Sequence, residues 1–548
     1  MPPARTGIST RWGSITRQAE LSTLLWLVPF AIAAGYLILF LVRLPHNVTA
    51  LSWNPDVGSA FVMPETIVQT GTGGATVMAS AGQWVPLWFG LLTARLPLHR
   101  ELWDVAPTLD FLASALIVGW SVAKLGDRRA AILAVLICLV ASPLALAFFM
   151  APFSHNTVYP CTALLGAYLI WLANGQGRRR LIAFAAPPIL GVAIGTCVAS
   201  DLLLAATAVV PLAATAILAA AQRDRRSRLL ALSALVTIAV TVPTATLTNS
   251  IMRSEGFLKL PSPIHHATLS ELPARAELLW KGLEALFNGY LGGSEAPGAL
   301  QTLLGIASAI VMCLALATLL VLGLGTASRL IWSGLRRDGA HTPAQLARSL
   351  HIVYWTASTL AACGAFWLAG EGATTTHESY YATAIFAVAA VVPLLSTARP
   401  SRRLLIPAGA TIFFVASLLG LANDYVIGSA PLESTGRQIE KIAAANHVRY
   451  GYTNWGDASN LTWGTHNRVI ARPLAECQTS RGVGLCPGFQ AYVPSWYVPH
   501  NRHTFLLVDP SGIEIKALPE GLGRPLKAYS VGTMQLYIYS YDIASRLA

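Results

Sequence analysis

The segment SWNPDVGSAF (52–61) follows the first hydrophobic stretch and carries one acid, Asp56. Pro55 holds Asn54 extended and Gly58 permits a turn, so the carboxylate is displayed on a constrained segment. A carboxylate so displayed can take a proton from a sugar hydroxyl, the task of a general base. The same residue would also serve as the cap of a helix beginning near Val57. Glu65, nine residues on, offers a second acid or a metal ligand. Asp201 sits between two apolar stretches, and Asp110 lies near the start of another. An ionisable group at membrane depth is costly and faces a cavity or a partner. At the end of a span it would simply cap a helix.

Histidines and tyrosines add a second chemistry. The segment GEGATTTHESYY (370–381) groups Glu371, His377, Glu378, Tyr380 and Tyr381. His and Tyr hydrogen-bond phosphate oxygens, and His beside a carboxylate can bind a divalent cation such as Mg or Mn. A polar turn with its tyrosines in the membrane interface uses the same residues. His155-Asn156 repeats the theme more sparsely. In GYTNWGDASNLTW (451–463), Trp455, Asp457, Asn460 and Trp463 set aromatic faces beside acid and amide groups. That set suits an acceptor carbohydrate, and ordinary core packing and turns use it too.

The elements that must position these groups are hydrophobic. Of the 548 residues only 12% are charged, against about 25% in soluble domains, and the mean hydropathy is +0.54. A polytopic α-helical membrane protein follows. Eleven apolar stretches stand out, at about 21–42, 105–123, 130–149, 158–173, 181–199, 202–221, 229–250, 302–323, 350–369, 380–396 and 404–422. A helix needs ~20 residues to cross ~30 Å of hydrocarbon. The formal charge of +12 would suit nucleic acid, but the basic residues lie in short loops between stretches, where they set topology. Nucleic acid is therefore excluded as a partner. Arg128, Arg129, Arg178, Arg179, Arg180, Arg225, Arg226, Arg336, Arg402 and Arg403 fall in alternate loops, with Arg5, Arg11 and Arg17 ahead of the first stretch. The short connections near 150–157, 200–201 and 370–379 hold no Lys or Arg. This asymmetry puts the N-terminus in the cytoplasm and, after eleven spans, the C-terminal part outside. The first stretch is too long for the core of a cleavable signal.

Two parts result: a transmembrane part, 1–423, and a C-terminal extracytoplasmic α/β or α+β domain, 424–548. Loops 44–104 and 251–301 are the long outer connections. In the first, 61–68 and 84–96 are expected as surface helices, with Trp84, Trp88 and Phe89 as interfacial anchors. In the second, 271–287 has helical spacing. In the C-terminal part a helix is expected at 432–446 and strands at 447–453, 467–472, 503–509 and 533–541. Five cysteines fall within the apolar stretches. Cys477 and Cys486 lie outside them, and an oxidising compartment would join them as a disulfide.

A long outer loop with an acid soon after span one, surface helices in that loop, about eleven spans and an outer C-terminal domain together resemble the GT-C superfamily. These are membrane glycosyltransferases that use polyprenyl-phosphate sugars. The resemblance implies that Asp56 deprotonates the acceptor hydroxyl as it attacks the anomeric carbon and the lipid phosphate leaves. It implies that His377, Glu378 and Tyr380 lie near the lipid phosphate, although Ser379 stands where several members have Arg; His155 is a further candidate for that role by residue type alone. It further implies a bacterial cytoplasmic membrane and a glycan, lipid or protein acceptor. Glu65, Asp201 and Asp110 stand as secondary acids by the reading of the residues themselves. Two other functions compete: a transporter or lipid flippase, and a non-catalytic glycan-binding assembly protein.

Overall fold

The computed structural model describes residues 25–45, 55–71, 74–77, 84–150, 155–174, 180–222, 224–259, 265–289, 298–336, 342–370, 378–397, 402–422, 430–479, 482–488, 492–510, 515, 518 and 520–547. The helices begin with α1 Leu25–Pro45, α2 Pro55–Thr70, α3 Trp84–Thr93, α4 His99–Leu125, α5 Arg128–Leu139 and α6 Pro143–Met150. They continue with α7 Val158–Ala173, α8 Arg180–Ser200, α9 Val210–Ala221, α10 Arg225–Ser254, α11 Leu272–Leu286 and α12 Ala299–Arg336. The last are α13 Pro343–Leu368, α14 Thr383–Val391, α15 Arg402–Ala422, α16 Ala430–Ala445 and α17 Trp455–Gly464. Two short ribbons pair β1 Thr76–Val77 with β2 Leu258–Lys259, and β3 His265–His266 with β4 Ala369–Gly370.

The chain is a helical membrane protein, but the expected eleven spans need correction. Among the described residues five helices are long and apolar enough to cross a membrane: α1, α4, α10, α12 and the Leu405–Ala422 part of α15. The α5–α6 pair would make a sixth, and it is bent by 84° between Leu139 and Pro143. Several of the remaining stretches are short or interrupted. At 16 residues, α7 reaches only about 24 Å. The 202–221 stretch is interrupted by a π-helical turn at Ala205–Val209, and the 380–396 stretch ends in a 3-10 turn that begins at Val392. Helix α13 is long, but it runs through the protein interior and carries polar residues there. Tyr354 donates to the Thr162 carbonyl at 2.8 Å, and Ser358 to the Thr207 carbonyl at 2.7 Å. Buried polar groups satisfied in this way are tolerated in place of lipid-facing ones.

Small residues bring α8 against α10. A Cβ on Gly191 would fall 2.7 Å from the Thr237 carbonyl oxygen, and one on Gly195 2.6 Å from that of Thr241. This G-x-x-x-G spacing is the close-approach device of membrane helices.

The two ends of the helical body differ. At one end Gln222 donates to the Leu330 carbonyl at 2.7 Å and Arg348 to that of Leu394 at 2.8 Å. These contacts join the arginine-bearing loops. At the other end Arg43, close to the end of α1, donates to the Leu421 carbonyl at 2.6 Å, so α1 and α15 finish together. Both ribbons lie at this end and stitch loop 44–104 to loop 251–301, and loop 251–301 to the connection after α13. The connections without basic residues therefore gather on one face.

The C-terminal sheet sits on that face. It has six strands in the order β7-β6-β5-β8-β10-β9: β5 Tyr450–Thr453, β6 Ile470–Thr479, β7 Gly482–Pro487, β8 Thr504–Val508, β9 Lys527–Val531 and β10 Met534–Tyr539. Strand β5 runs parallel to both β6 and β8, and the other pairs are antiparallel. One face packs Ile439 of α16 and Leu461 of α17 over Ala471, Phe505 and Leu536. The other packs Tyr452, Leu506 and Tyr539 under Ile515, Leu522 and Ile543. Expected strands 447–453, 467–472, 503–509 and 533–541 correspond to β5, β6, β8 and β10.

Cys477 and Cys486 form a disulfide across the β6–β7 pair. The closed loop is short, with a sequence separation of 9, so chain entropy gives the bond about 2.5 kcal/mol. Cys477→Ser is expected to lower the unfolding free energy of the sheet by about that amount. Thermal unfolding of the oxidised and reduced wild-type protein, beside the variant, measures it.

Candidate functional site

The polar groups on the stitched face fall into two clusters. The first lies where α7 begins and α8 ends. Asp201 directly follows α8 and is 1% exposed. Its Oδ1 accepts from the Leu203 N–H at 2.9 Å, a local cap. Its Oδ2 lies 2.6 Å from His155 Nδ1. A buried carboxylate at that distance accepts the Nδ1 proton and fixes the imidazole's orientation. His155 itself has φ 59°, in the left-handed region, which few non-glycine residues occupy without a structural reason. The Tyr380 ring stands 5.5 Å from the imidazole, centre to centre. Tyr380 belongs to the 3-10 turn Glu378–Tyr380, which packs against α6, α11 and α13.

Three residues marked separately in the sequence, His155, Asp201 and Tyr380, are therefore one cluster drawn from three connections. Asp201 has the buried partner that an acid at membrane depth requires. Tyr159, which sequence reasoning missed, joins them. It is buried next to Asp201, and its hydroxyl has no hydrogen-bond partner among the described residues. No helical spacing joins it to His155, which precedes α7 with a left-handed backbone, so the sequence offered no signal for it.

The second cluster lies between α2, α4 and the sheet. Glu65 Oε2 accepts from Asn467 Nδ2 at 3.0 Å, and its Oε1 lies 3.9 Å from His99 Nε2. Arg100 stacks its guanidinium 3.9 Å over the Trp463 ring and donates to the Trp463 carbonyl at 2.8 Å. Trp463 packs on Trp103. Trp496 donates from Nε1 to Thr66 Oγ1 at 2.8 Å. Trp455 packs with Val62, Met63 and Trp496. These contacts dock the sheet onto the first loop. Asp457 belongs to the start of α17: its N–H donates to Asn454 Oδ1 at 2.9 Å, and its Oδ2 accepts from Asn454 Nδ2 at 2.7 Å. Trp455, Asp457 and Trp463 thus sit in packing and capping roles, with Trp463 3% exposed.

The expected interfacial anchors also turn inward. Trp84 is buried and donates to Asn249 Oδ1 at 2.8 Å. Trp88 reaches Met252 Sδ at 3.1 Å, and Phe89 lies edge-on to Trp103. Packed against α10 and α4, helix α3 presents these rings to protein instead of lipid.

Burial pushes the Glu65 carboxyl above its ordinary range, against the opposing pull of Asn467, Arg472 and Arg100. A folded-state pKa that is raised leaves the docked form holding more protons than the open form. The stabilisation is full below the ordinary glutamate range and is lost as pH rises through the raised value. Glu65→Gln keeps an acceptor for Asn467, so docking is expected to be firmer at neutral pH and flatter with pH. Thermal unfolding of wild type and variant from pH 4 to pH 8 reads this directly.

The position of Asp56 follows from α2. The helix starts at Pro55, two residues before the expected Val57, so Asp56 lies inside the first turn instead of capping it. An acid there suits the helix dipole. Positions 56 and 65 fall about 13 Å apart along the helix and on opposite sides of it, so they do not form a carboxylate pair. The Asp56 and Glu378 side chains, and His377 altogether, lie outside the described residues. Asp110 is half-buried on α4 and has no ion-pair partner among the described residues. Among the described residues no three His, Cys, Asp or Glu side chains gather as a metal centre requires. No protein-family model, curated protein sequence or solved structure matches the chain.

Proposed function

We propose that the protein is a membrane glycosyltransferase that moves a sugar from a polyprenyl-phosphate donor to an envelope acceptor at the outer face. The carrying observation is the buried His155–Asp201 pair beside Tyr380, at the end of the helical body where three connections and the sheet converge. A lipid-phosphate donor keeps its tail in the bilayer and its sugar at this level, so a polar cluster on the outer ends of apolar helices meets the reacting bond.

In this reading Asp56 takes the proton from the acceptor hydroxyl. The acceptor oxygen bonds to the anomeric carbon, the bond from that carbon to the phosphate oxygen breaks, and the lipid phosphate leaves with the electron pair. His155, held through Nδ1 by Asp201, meets the developing charge on the phosphate through Nε2, with the Tyr380 hydroxyl as a second donor. A cation held by His377 and Glu378 would add charge stabilisation at the same phosphate. The C-terminal sheet closes the site from above and offers its surface to the acceptor.

Labelled transfer by wild type and Asp56→Asn, both monodisperse in nanodiscs, tests the assignment. A loss of about 10²-fold or more is expected of a general base. Full activity in the variant would send the role elsewhere.

A second reading has its own observation. Helix α8 ends at Ser200, just before Asp201, the π-turn Ala205–Val209 follows within a few residues, and α5–α6 breaks by 84°. Interrupted helices beside an intramembrane acid are the working parts of many transporters. Flux of a fluorescent polyprenyl lipid across proteoliposomes, with no sugar transfer, would favour that reading.

A further inference from the structure

We infer that the seam between α2 and the start of β6 contains a binding site for an anionic group, with Arg472 as its cation. Arg472 stands inside the sheet on β6, opposite Tyr452 of β5. Its guanidinium lies 4.5 Å from the centre of the Trp496 ring, amid Tyr450, Tyr452 and Tyr497. Among the described residues it has no ion-pair partner, and its buried Nη1 has no hydrogen-bond partner. Glu65 acts on it only through space.

The Arg472 side chain is partly exposed, so a solute can reach it, while its Nη1 is shut off from solvent; a guanidinium cannot shed its proton to escape that burial, and leaving the nitrogen without a partner is costly. Burial pushes this one down to about 10, with the tyrosines and Glu65 opposing too weakly to restore it. An anion that enters with the correct geometry would relieve that cost, and a guanidinium takes carboxylate or phosphate in a two-pronged bond.

Helix α2 flanks the same place: Glu65 accepts from Asn467 just ahead of β6, and Thr66 accepts from the Trp496 indole whose ring the guanidinium faces.

The site stands on its own geometry; under the transferase reading it is where an acceptor carrying an acidic group would be held. Its test needs no transfer, so failure here and failure of transfer are separable. Binding of glucuronate, glucose 6-phosphate and glucose to the full-length protein in nanodiscs would be measured by calorimetry at low salt. Saturable binding of one or both anionic probes, and none of glucose, is expected. The two anionic probes separate carboxylate from phosphate. Arg472→Gln should weaken binding roughly tenfold or more. Glu65→Gln, which removes the opposing charge, should tighten it severalfold. Arg468→Gln, at an exposed arginine paired with Glu440, should leave it unchanged. The inference fails if neither anion saturates wild type, or if both seam variants bind as wild type does. Should Arg472→Gln not fold, Glu65→Gln decides alone: tighter binding supports the site, and unchanged binding overturns it.

Discussion

On the transferase reading, Asp201→Asn is expected to cut sugar transfer by roughly 10²- to 10⁴-fold while leaving the protein folded. Asparagine keeps the size of the side chain and an oxygen for the Leu203 N–H, so the local cap at 2.9 Å survives. The negative charge 2.6 Å from His155 Nδ1 is what disappears. Without it the imidazole loses the partner that orients it and stabilises its charged form as the phosphate leaves. His155→Gln should lose a similar factor, and the double variant little more, because the two act as one unit. Loss of transfer with unchanged donor binding would place the pair in the chemical step. Full activity in Asp201→Asn would reduce the pair to a structural tie between α8 and the turn before α7.

The largest stability effect belongs to Trp463→Ala. The ring is 3% exposed, rests on Trp103, which is fully buried, and carries the Arg100 guanidinium on its face at 3.9 Å. Truncation removes the packing, opens a cavity and strips Arg100 of its aromatic partner. A cost of about 3–5 kcal/mol is expected, partly as undocking of the sheet from α2 and α4. Trp463→Phe should lose much less, since it keeps most of the contact. Thermal unfolding and protease sensitivity of both variants check this. Equal protease resistance in wild type and Trp463→Ala would show that the sheet is held by Glu65–Asn467 and Trp496–Thr66 instead.

Much of the frame was legible because single residues carry their burial pattern locally. In α16, Ile439 and Ala443 recur at helical spacing and both are buried. β8 reads TFLLV and is buried throughout. Cys477 and Cys486 were the pair left outside the apolar stretches. What was not legible depends on partners far along the chain. β7 contains two glycines, β9 is mostly exposed, and both exist as strands because β6 and β10 bind their edges. The stretch WGDASNLTWG has the composition of a loop, yet it is helical because Asn454 caps it and Ala458, Leu461 and Trp463 are buried. The spans were overcounted because the apolar stretches were read as unbroken and uniformly apolar. α13 carries His351, Tyr354, Thr356, Ser358 and Thr359 into the interior, and Pro143 begins a new helix at the break after α5.

The site was legible as a set of residues and not as an arrangement. His155 and Asp201 lie 46 residues apart, and no periodicity joins them; only the packing of α7 beside α8 does. Arg472 did leave a trace, as a lone charge within the apolar strand IARPL, but its meaning depends on Trp496 and α2, which arrive from other parts of the chain.

The most direct test of the transferase reading is sugar transfer by purified wild-type protein in nanodiscs, supplied with a panel of polyprenyl-phosphate sugars and crude envelope glycan. Transfer from one donor, with release of the polyprenyl phosphate, is the expected result. No transfer from any donor, by protein that is folded and moves a labelled polyprenyl lipid across proteoliposomes, would contradict it and establish a transporter in its place.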